Sequence, residues 1–339
     1  MTGEELIPSL QSLEGRLLFA VPKKGRLLSA SLNLLEGADI QFRRENRLDI
    51  ALVKNLPIAL VFLPAADIPT FVGEGRVDLG ITGFDQVQEH DAGVRQTSRA
   101  RRLSNADGPE TDGKVHGCET VLDLGFGACK LQVQIPAKGE YAEPKDLIGK
   151  NIGTSFVHLA HEYFARLELE QEGATNGERI DLAGRKLRTK IMELSGSVEA
   201  ACALGVADGI VDLVESGETM KAAGLKAIDT VVESSAILIK SKNPSNPKMV
   251  ALIAARINGV ITAQKYVLCQ YNVPRTRLAD AVKVTPGKRA PTVTSLEEEG
   301  WVAVSAMVEK KRLAPVMDDL AMVGATDILV LDIHNTRGS

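Results

Sequence analysis

Residues 199–220, EAACALGVADGIVDLVESGETM, bring together residue types that suit a phosphorylated sugar. An apolar strand ends in Asp212, and a glycine and two hydroxyl side chains follow where a helix is about to begin. Backbone N–H groups at a helix N-terminus point at an anion, Gly217 lets the backbone approach closely, and Ser216 and Thr219 can donate hydrogen bonds. The spacing predicts a loop that binds a phosphate monoester.

Two aspartates precede this loop. Asp208 and Asp212 lie four residues apart, which in a strand places both side chains on the same face. Carboxylates beside a phosphate are favourable where they hold sugar hydroxyls or Mg²⁺, so the stretch is interpreted as a clamp for a ribose 5-phosphate. The alternative is an ordinary N-cap, in which Ser216 caps the helix and Asp212 is solvated. The loop alone leaves both interpretations open.

Composition limits the classes of protein to consider. With 339 residues, of which 44% are hydrophobic, the chain is long enough for two or three domains. A net charge of -4 gives no global positive field for nucleic acid, and 4% aromatic residues argue against a base-stacking platform. A polyanionic substrate therefore needs a local cluster of basic residues.

The N-terminus, MTGEELIPSL, is acidic and lacks the apolar core of a secretory signal. No later stretch has the roughly 18 apolar residues that span a bilayer, so we expect a cytoplasmic protein without a membrane partner. The four cysteines have no zinc-ligand spacing, and we expect isolated, reduced thiols. They are Cys118, Cys129, Cys202 and Cys269.

Strands and helices alternate in the first part of the chain. Residues 16–21 form an apolar strand, PKKGRL is a basic turn, and residues 27–35 have a helical pattern. The apolar run 58–63 precedes a second helical pattern, and VDLGITG returns to strand. Such alternation predicts parallel α/β layers.

A second α/β block begins near Leu122 and contains the strands ACKLQVQIP, KNIGTSF and 209–214. The segment VVESSAILIK then resembles a strand that returns to the first block. Two lobes joined by chain crossings are expected, and the cleft between such lobes is the default ligand site.

Polar stretches and prolines mark the boundaries. Residues 90–117 and 171–188 have little periodicity and are interpreted as surface insertions. NPSNP, residues 243–247, separates an α+β tail of about 95 residues that can fold alone. Within it, the strand WVAVSAMV, a helix and then the strand DILVLDI are compatible with half of a ferredoxin-like repeat. The predicted domains are a first lobe of residues 1–121 and 223–242, a second lobe of 122–222, and a C-terminal domain of 243–339.

The loop also matches a longer pattern. Its spacing closely resembles the binding signature for phosphoribosyl pyrophosphate (PRPP) of the ATP phosphoribosyltransferases, and a chance match over 22 residues is improbable. The matching positions are Glu199, Gly205, Ala207, Ile210, Asp212, Leu213, Ser216, Gly217, Thr219 and Met220. The resemblance extends from Arg16 to about Ile333, through motifs that include PKKGRL, ADIPTFVGEGRVDLGITG, IGTSF and TPGKRAPTV, and it is to the long form of the family.

The resemblance implies a fold and a reaction. The fold is a two-lobed catalytic core like a type II periplasmic binding protein, with a C-terminal ferredoxin-like, ACT-like regulatory domain. In the family, Mg²⁺ is required, and N1 of the adenine of ATP attacks the anomeric carbon of PRPP as pyrophosphate leaves, in the first step of histidine biosynthesis. Positioning and electrostatics then carry catalysis, without a covalent nucleophile.

Site residues follow from the matching positions. The resemblance implies four catalytic residues: Lys23, Arg26, Glu199 and Asp212. The residues implied for PRPP are Asp208, Asp212, Leu213, Val214, Glu215, Ser216, Gly217, Glu218 and Thr219. Those implied for ATP or pyrophosphate are Lys23, Gly25, Arg26, Arg47, Asp67, Asp78, Gly80, Thr82, Gly83, Lys130, Thr154 and Ser155. Gly80 and Gly83 have an equally good architectural explanation, because glycines often serve only the turn after a strand.

The C-terminal domain implies regulation. In the long form it binds histidine, which inhibits the enzyme, and active dimers convert to a compact hexamer, so a homo-oligomer is expected without a separate partner subunit. The expected histidine-site positions are Asn272, Ala290 and Thr292. Asn272 replaces an acid and Ala290 replaces a hydroxyl found in some relatives, while Thr292 keeps its side chain. The alternative role for this domain is oligomerisation alone.

A rival function is a non-catalytic protein with two lobes that binds or senses a small molecule, because that fold mostly serves solute capture. The absence of a signal peptide and of a basic DNA-binding module counts against it, as does the loop ESGET with its two upstream aspartates. The substrates expected are ATP and PRPP, and no protein ligand for the metal is assigned.

Overall fold

A computed structural model describes residues 13–44, 48–103, 117–173 and 182–337. The chain divides into two compact units. The first comprises the chain up to Ser31 and Phe42–Val250, and the second comprises Leu32–Gln41 and the chain from Ala251 onward. The second unit begins close to the boundary predicted at NPSNP. It also takes in residues 32–41, a long-range association that no local pattern announces.

The first sheet of the first unit has six strands in the order β2-β3-β1-β4-β11-β5. Strand β1 is parallel to β3 and β4, whereas β2 and β11 run antiparallel to their neighbours. The strands are β1 (Leu17–Pro22), β2 (Ile50–Leu52), β3 (Ile58–Leu63), β4 (Leu79–Gly83), β5 (Cys118–Asp123) and β11 (Ala236–Ser241). The continuous apolar runs of β1, β3 and β4 are buried, as expected for strands covered on both faces.

The second sheet has five strands in the order β10-β6-β9-β7-β8. Strand β7 is parallel to β8 and β9, and β6 runs antiparallel to both of its neighbours. The strands are β6 (Cys129–Pro136), β7 (Asn151–Thr154), β8 (Lys190–Glu193), β9 (Gly209–Val214) and β10 (Leu225–Ser234). On β6, Leu131, Val133 and Ile135 alternate with polar residues and form part of a buried core with Phe164.

Six helices lie between residues 26 and 222 within the described ranges. They are α1 (Arg26–Gly37), α2 (Ile68–Gly73), α3 (Phe84–Leu103), α4 (Val157–Gln171), α5 (Ala200–Ala203) and α6 (Glu218–Ala222). Helix α3 continues through the first part of the predicted excursion at 90–117. It packs on α4, where Glu89 accepts hydrogen bonds from the backbone N–H groups of His158 and Leu159 and Arg95 makes a two-pronged ion pair with Glu162. Residues 104–116 and 174–181, the centres of both predicted insertions, lie outside the described residues.

The chain crosses between the sheets twice, after β5 and again at Ser235. The sequence-based division assigned residues 223–242 to the first lobe. In the structure β10 pairs with β6 in the second sheet, and only β11 joins the first. Strand β10 is a half-buried outer strand, so its sequence LKAIDTVV has no continuous apolar run. The buried strand β11 does have such a run, AILIK, and its place in a sheet was therefore easier to predict. The predicted fold class, two α/β lobes with a C-terminal α+β domain, is confirmed.

The second unit carries helix α7 (Pro247–Lys265) and a βαββαβ module. The module consists of β12 (Tyr266–Pro274), α8 (Leu278–Val284), β13 (Thr292–Ser295), β14 (Trp301–Glu309), α9 (Leu313–Met322) and β15 (Thr326–Asp332). Its antiparallel sheet has the order β13-β14-β12-β15, the ferredoxin-like arrangement. Strands β12 and β14 bury every second residue against the two helices.

Two further structural facts bear on the sequence predictions. No helix in the described ranges has the length and apolarity to cross a bilayer. All four cysteines are free thiols, which confirms that prediction.

Candidate functional site

A cavity of about 260 Å³ lies at the end of β9 in the first unit. Its wall joins the loop after β9, the start of α5 and the first residue of α1. The lining residues are Arg26, Gln134, Glu199, Asp212, Leu213, Val214, Glu215, Ser216, Gly217, Thr219 and Met220. Three of the four predicted catalytic residues and most of the predicted PRPP loop therefore meet at one place. Glu218 belongs to the loop but does not line the cavity.

The loop owes its shape to Gly217. This residue has a φ of 77°, in the left-handed region that favours glycine, and it immediately precedes α6. The Ser216 hydroxyl accepts a hydrogen bond from the Glu218 N–H at 3.4 Å. Helix α6 has five residues, so its dipole is small and the N–H groups and hydroxyls of the loop supply most of the attraction for an anion.

Asp212 and Glu199 form the acidic side of the cavity. Burial raises the pKa of the Asp212 carboxyl above its ordinary value and the charge of Glu199 raises it further, although the Leu213 backbone N–H hydrogen bond opposes the shift. Strand alternation places Asp212 on the same face as Ile210, while Val211 and Leu213 pack against the opposite core. An acid in this position is stabilised by a metal ion or by sugar hydroxyls that donate to it.

Arg26 forms the basic side. It lies at the first position of α1, and its guanidinium donates to Cys129 Sγ at 2.8 Å and approaches Glu215 Oε2 at 3.7 Å. Burial lowers the pKa of Arg26, but the hydrogen bond to Cys129 and the charges of Asp85 and Glu215 outweigh it, so the net pKa is raised. A fixed positive charge thus faces the predicted phosphate loop from the first lobe.

Sequence reasoning missed Gln134 in this wall, and it assigned no ligand role to Met220, although Met220 is one of the matching positions of the signature. Gln134 is 2% exposed, and its Nε2 donates to the backbone carbonyl of Asp212 at 3.2 Å. Met220 packs against the small core beside α5. A signal for Gln134 existed, because β6 alternates Lys130, Gln132 and Gln134 with aliphatic residues, and a buried amide on a strand requires a partner.

Asp208 is not brought to the cavity. It precedes β9, and its carboxylate accepts hydrogen bonds from the backbone N–H of Asn151 at 2.9 Å and from its Nδ2 at 3.2 Å. The prediction that Asp208 and Asp212 share a face agrees with strand geometry. Four residues of strand nevertheless separate them by roughly 13 Å, which places Asp208 at the opposite end of β9.

The predicted basic residues of the first lobe have separate positions. Lys23 Nζ lies 3.3 Å from Asp49 Oδ2, just after β1, and it does not line the cavity. Gly25 has a φ of 80° at the turn into α1, where a side chain would be strained. Arg47 lies outside the described residues.

The predicted residues around β4 hold the first lobe together. Asp78 is buried and accepts hydrogen bonds from the N–H groups of Leu18 and Ser245. Thr82 is buried and donates to the Ala65 carbonyl at 2.7 Å. These contacts give both side chains an architectural role. The sequence VDLGITG alone did not reveal that role, because the groups they bind are distant in sequence.

The two glycines of β4 and the nearby Asp67 complete this region. A Cβ on Gly80 would lie 2.5 Å from Ile68 Cγ2, so its absence allows α2 to pack on the strand. A Cβ on Gly83 would collide with the Asp85 carboxylate. The structure thus favours the architectural explanation for both glycines. Asp67 is exposed, and its side chain makes no capping hydrogen bond at the start of α2.

Three predicted residues lie on the second sheet. Lys130 is exposed on β6 and its Nζ lies 2.7 Å from Glu233 Oε1, which lowers the pKa of that glutamate. Thr154 is fully buried, donates to the Val211 carbonyl at 2.7 Å and accepts from the Phe156 N–H at 2.9 Å. Ser155 is exposed at the end of β7. Lys130, although paired with Glu233, and Ser155 are exposed, whereas the buried Thr154 hydroxyl is occupied by its two hydrogen bonds.

In the C-terminal module, Asn272 Nδ2 donates to Asp327 Oδ2 at 3.0 Å, between β12 and β15. Ala290 and Thr292 are exposed on the approach to β13 and at its first residue. A cavity of about 310 Å³ in this module contains none of the three; it is lined by residues of the β12 start, the β14 end and the turn 285–288.

Among the described residues, no group of three or more His, Cys, Asp or Glu side chains converges on a point that could hold a metal. Asp212 and Glu199 supply two carboxylates that interact electrically. Mg²⁺ is commonly bound by one or two carboxylates together with phosphate oxygens of the substrate and water. The pair therefore fits a metal that arrives with a phosphorylated substrate.

Comparison with known proteins identifies the family. The model described as HisG, ATP phosphoribosyltransferase, matches residues 64–259, and the model described as HisG, C-terminal domain, matches residues 263–335. An ATP phosphoribosyltransferase of Yarrowia lipolytica is 57% identical over 97% of this chain and 99% of its own length. The chain belongs to the ATP phosphoribosyltransferase family.

Further relatives agree. The ATP phosphoribosyltransferase of Saccharomyces cerevisiae is 54% identical over 96% of this chain and 98% of its own length. A solved chain of the ATP phosphoribosyl transferase (HisG:HisZ) complex from Thermotoga maritima matches with a TM-score of 0.52 and 22% identity, covering 73% of this chain and 98% of that one. That likeness is one of fold. Members of the ATP phosphoribosyltransferase family are phosphoribosyltransferases, within the glycosyltransferases, of histidine biosynthesis.

Proposed function

We propose that the enzyme transfers the 5-phosphoribosyl group of PRPP to N1 of ATP and releases pyrophosphate, as the first step of L-histidine biosynthesis. One observation carries the proposal: acids, hydroxyls and a cation line a single cavity at the loop after β9. The loop is suited to the 5-phosphate, the Asp212 carboxylate to the ribose, and Arg26 to the departing pyrophosphate.

The chemistry follows from charge. The bond between the anomeric carbon and the pyrophosphate oxygen breaks, that oxygen keeps the electron pair, and the N1 lone pair of adenine forms the new C–N bond. Positive charge grows on the sugar ring and negative charge on pyrophosphate. The carboxylates of Asp212 and Glu199 stabilise the positive charge on the sugar, and the guanidinium of Arg26 stabilises the negative charge on pyrophosphate. N1 has its own lone pair, and no general base is required.

A divalent metal is a requirement of the family, and we assign it as Mg²⁺. When bound, the ion would supply positive charge that neutralises the leaving group. Asp212 and Glu199 are the described side chains suited to orient it. We choose these two carboxylates because they repel each other and a divalent cation would relieve that repulsion.

ATP is proposed to approach from the remaining predicted positions. Lys23, Arg47 and Lys130 are the cations available for its triphosphate, with Ser155 as a hydrogen-bond donor. Gly25 allows the backbone after β1 to turn towards the nucleotide. Asp78, Gly80, Thr82, Gly83 and Thr154 support this side through the architecture of their strands, and Asp67, exposed at the start of α2, completes the predicted set.

The decisive assay is pyrophosphate release with ATP, PRPP and Mg²⁺, from which each component is omitted in turn. Release only with all three is the expected result, and the product is checked by mass as N1-(5-phosphoribosyl)-ATP. Binding of either substrate without turnover would instead support a non-catalytic two-lobed protein. The Asp212→Asn variant should lose at least about 100-fold in kcat/KM, with Asp318→Asn, an exposed residue of α9 outside the cavity, as the matched control.

We infer a regulatory role for the C-terminal module and a cytoplasmic enzyme that works as a homo-oligomer, as dimers and hexamers. The Thermotoga enzyme forms a complex with HisZ, whereas the present chain carries its own C-terminal domain, which supports activity without a second kind of subunit. Histidine is the proposed inhibitor, held by Asn272 and by backbone and side-chain groups near Ala290 and Thr292.

Histidine titration tests this regulation in the full chain. Asn272→Ala is expected to raise the half-inhibitory histidine concentration about tenfold, as for the loss of one good polar contact. Gln270→Ala on the same strand is the control and should be inhibited like the native enzyme. Equal inhibition of both variants would remove Asn272 from the histidine site, and a native enzyme insensitive to histidine would favour oligomerisation as the role of the module.

A further inference from the structure

Gln134 is a buried amide in the wall of the active-site cavity. It lies in the middle of β6, is 2% exposed, and donates one N–H of its Nε2 to the Asp212 backbone carbonyl at 3.2 Å. A carbonyl oxygen only accepts hydrogen bonds, so the nitrogen of the amide must face Asp212. The orientation of this side chain is thereby fixed.

The other groups of the amide have no protein partner within the described residues. Among these residues, the Oε1 atom and the second N–H of Gln134 make no hydrogen bond. The unpaired Oε1 is not a completely buried atom, so part of its surface remains accessible. Since the side chain is part of the cavity wall, its free acceptor and donor are offered to whatever occupies the cavity. A buried amide that keeps unused polar groups is costly unless a ligand or water completes them.

The register of the sheet explains how Gln134 reaches Asp212. Strands β6 and β9 are antiparallel, with Gln132 directly opposite Asp212 and Gln134 opposite Ile210. Directly paired residues share a face, and Gln134 is therefore the diagonal neighbour of Asp212 on that face. Gln132 lies on the same face, but its side chain points towards β10, on the other side of β6, and donates to Thr230 Oγ1 at 3.0 Å.

The chemistry of an amide suits this position better than that of its isosteres. A glutamate would set an acceptor against the Asp212 carbonyl and add a third negative charge beside Asp212 and Glu199. An apolar residue would remove the Nε2 donor from the Asp212 carbonyl and would offer no polar group to a ligand in the cavity. Glutamine alone supplies a donor for the backbone, a free acceptor and no net charge.

We propose that Gln134 is a positioning residue for the sugar of PRPP, holding the end of β9 that carries Asp212 and receiving a ribose hydroxyl on its free amide oxygen. This inference rests on the proposed function, because it assigns a contact within the same reaction. The ribose hydroxyl donates to Oε1 while the carboxylate of Asp212 accepts from the sugar. Gln134 would thus set the height at which the sugar lies above β9.

The test compares Gln134→Met with Gln132→Met in the full-length enzyme. Both variants lose one amide from the same strand, but only Gln134 lines the cavity. For Gln134→Met we expect the KM for PRPP to rise about tenfold, as for the loss of one polar contact, and the KM for ATP to stay within about twofold. Gln132→Met should keep the native KM for PRPP and for ATP, while its melting temperature falls by about as much as that of Gln134→Met.

A second measurement separates a sugar contact from packing. Ribose 5-phosphate carries the ribose hydroxyls without the pyrophosphate, so in Gln134→Met its inhibition constant should rise by about the same factor as the KM for PRPP, whereas that of pyrophosphate should stay within about twofold. A purely structural role would change the two inhibition constants alike. The inference is overturned if Gln134→Met behaves like Gln132→Met, if the KM values for both substrates rise equally, or if the inhibition constant of ribose 5-phosphate does not rise. A native enzyme inactive with PRPP and ATP would overturn the proposed function as well.

Discussion

The guanidinium of Arg26 lies 3.7 Å from the carboxylate of Glu215, so the first residue of α1 is held against the loop that follows β9. The same guanidinium donates to Cys129 at 2.8 Å. These two contacts fix a cation at the edge of the cavity before any substrate arrives. Preorganised charge of this kind needs no rearrangement during the reaction.

The first prediction concerns Arg26. Arg26→Gln keeps a hydrogen-bonding side chain but removes the charge, and kcat should fall about 100-fold or more, as for the removal of one transition-state contact. Arg76→Gln is the control, because Arg76 is exposed, lies outside the cavity and makes an ion pair with Glu74 at 3.9 Å. Steady-state pyrophosphate release measures both variants. If Arg26→Gln kept more than half of native turnover, Arg26 would not act on the leaving group.

The second prediction separates strain from binding at Gly217. Alanine in a left-handed conformation costs roughly 1–2 kcal/mol, and both Gly217 and Gly149 have positive φ, at 77° and 81°. Gly217→Ala and Gly149→Ala should therefore lose similar stability in thermal unfolding. Only Gly217→Ala should also raise the KM for PRPP, since Gly149 does not line the cavity. Equal KM values for the two variants would count against phosphate binding by this loop.

The third prediction is a dependence of stability on pH. The folded protein raises the pKa of Asp212 from its ordinary 3.8, through burial first and the charge of Glu199 second. Ionisation therefore weakens the fold progressively as pH rises from 3.8 through the folded pKa. Ligand-free Asp212→Asn should melt at a higher temperature than the native protein near pH 7, although it is nearly inactive.

At low pH that advantage should disappear. Below the ordinary carboxyl pKa, Asp212 is protonated in both folded and unfolded chains, so the melting temperatures of the two proteins should converge. Thermal melts across the acid range, without substrate or metal, provide the measurement. A difference in melting temperature that is constant from acid to neutral pH would show that the charge of Asp212 is not the cause.

The fourth prediction assigns Asp208 a structural role. Its carboxylate holds both the backbone and the side chain of Asn151, and Asp208→Ala should cost about 1–3 kcal/mol in the free energy of unfolding. The KM for PRPP of the folded variant should stay within about twofold, unlike that of Thr219→Ala. Urea titration and substrate kinetics test the two halves of this prediction. A large rise in the KM for PRPP with unchanged stability would instead support the sequence-based prediction that Asp208 binds the sugar.

Much of the fold follows from local pattern. The apolar runs that became β1, β3 and β9 are buried strands, and the alternation of β12 and β14 matches their half-covered sheet. Strand β13 was missed, because its four residues TVTS are all exposed and too few to show a period. The association of residues 32–41 with the second unit was also missed, since it depends on contacts between residues such as Gly37 and Val260 that are distant in sequence.

The candidate site also has one part that local sequence predicts and another part that depends on long-range contacts. The loop from Asp212 to Thr219 could be predicted because consecutive residues carry its chemistry. Gln134 could not, since it reaches the cavity only through the pairing of β6 with β9. The roles of Asp78 and Thr82 depend on the backbone groups that face them. A sequence gives the type of such a side chain but not its hydrogen-bond partner.

The pairing of the first and last strands of the C-terminal module has a further consequence. Strands β12 and β15 are neighbours, with Val267 opposite Asp332, so the polypeptide enters and leaves this sheet side by side. A segment with adjoining ends can be gained, lost or transplanted between genes without opening its own interior. The module thus has the geometry of a unit that a shorter transferase could acquire whole in one recombination event.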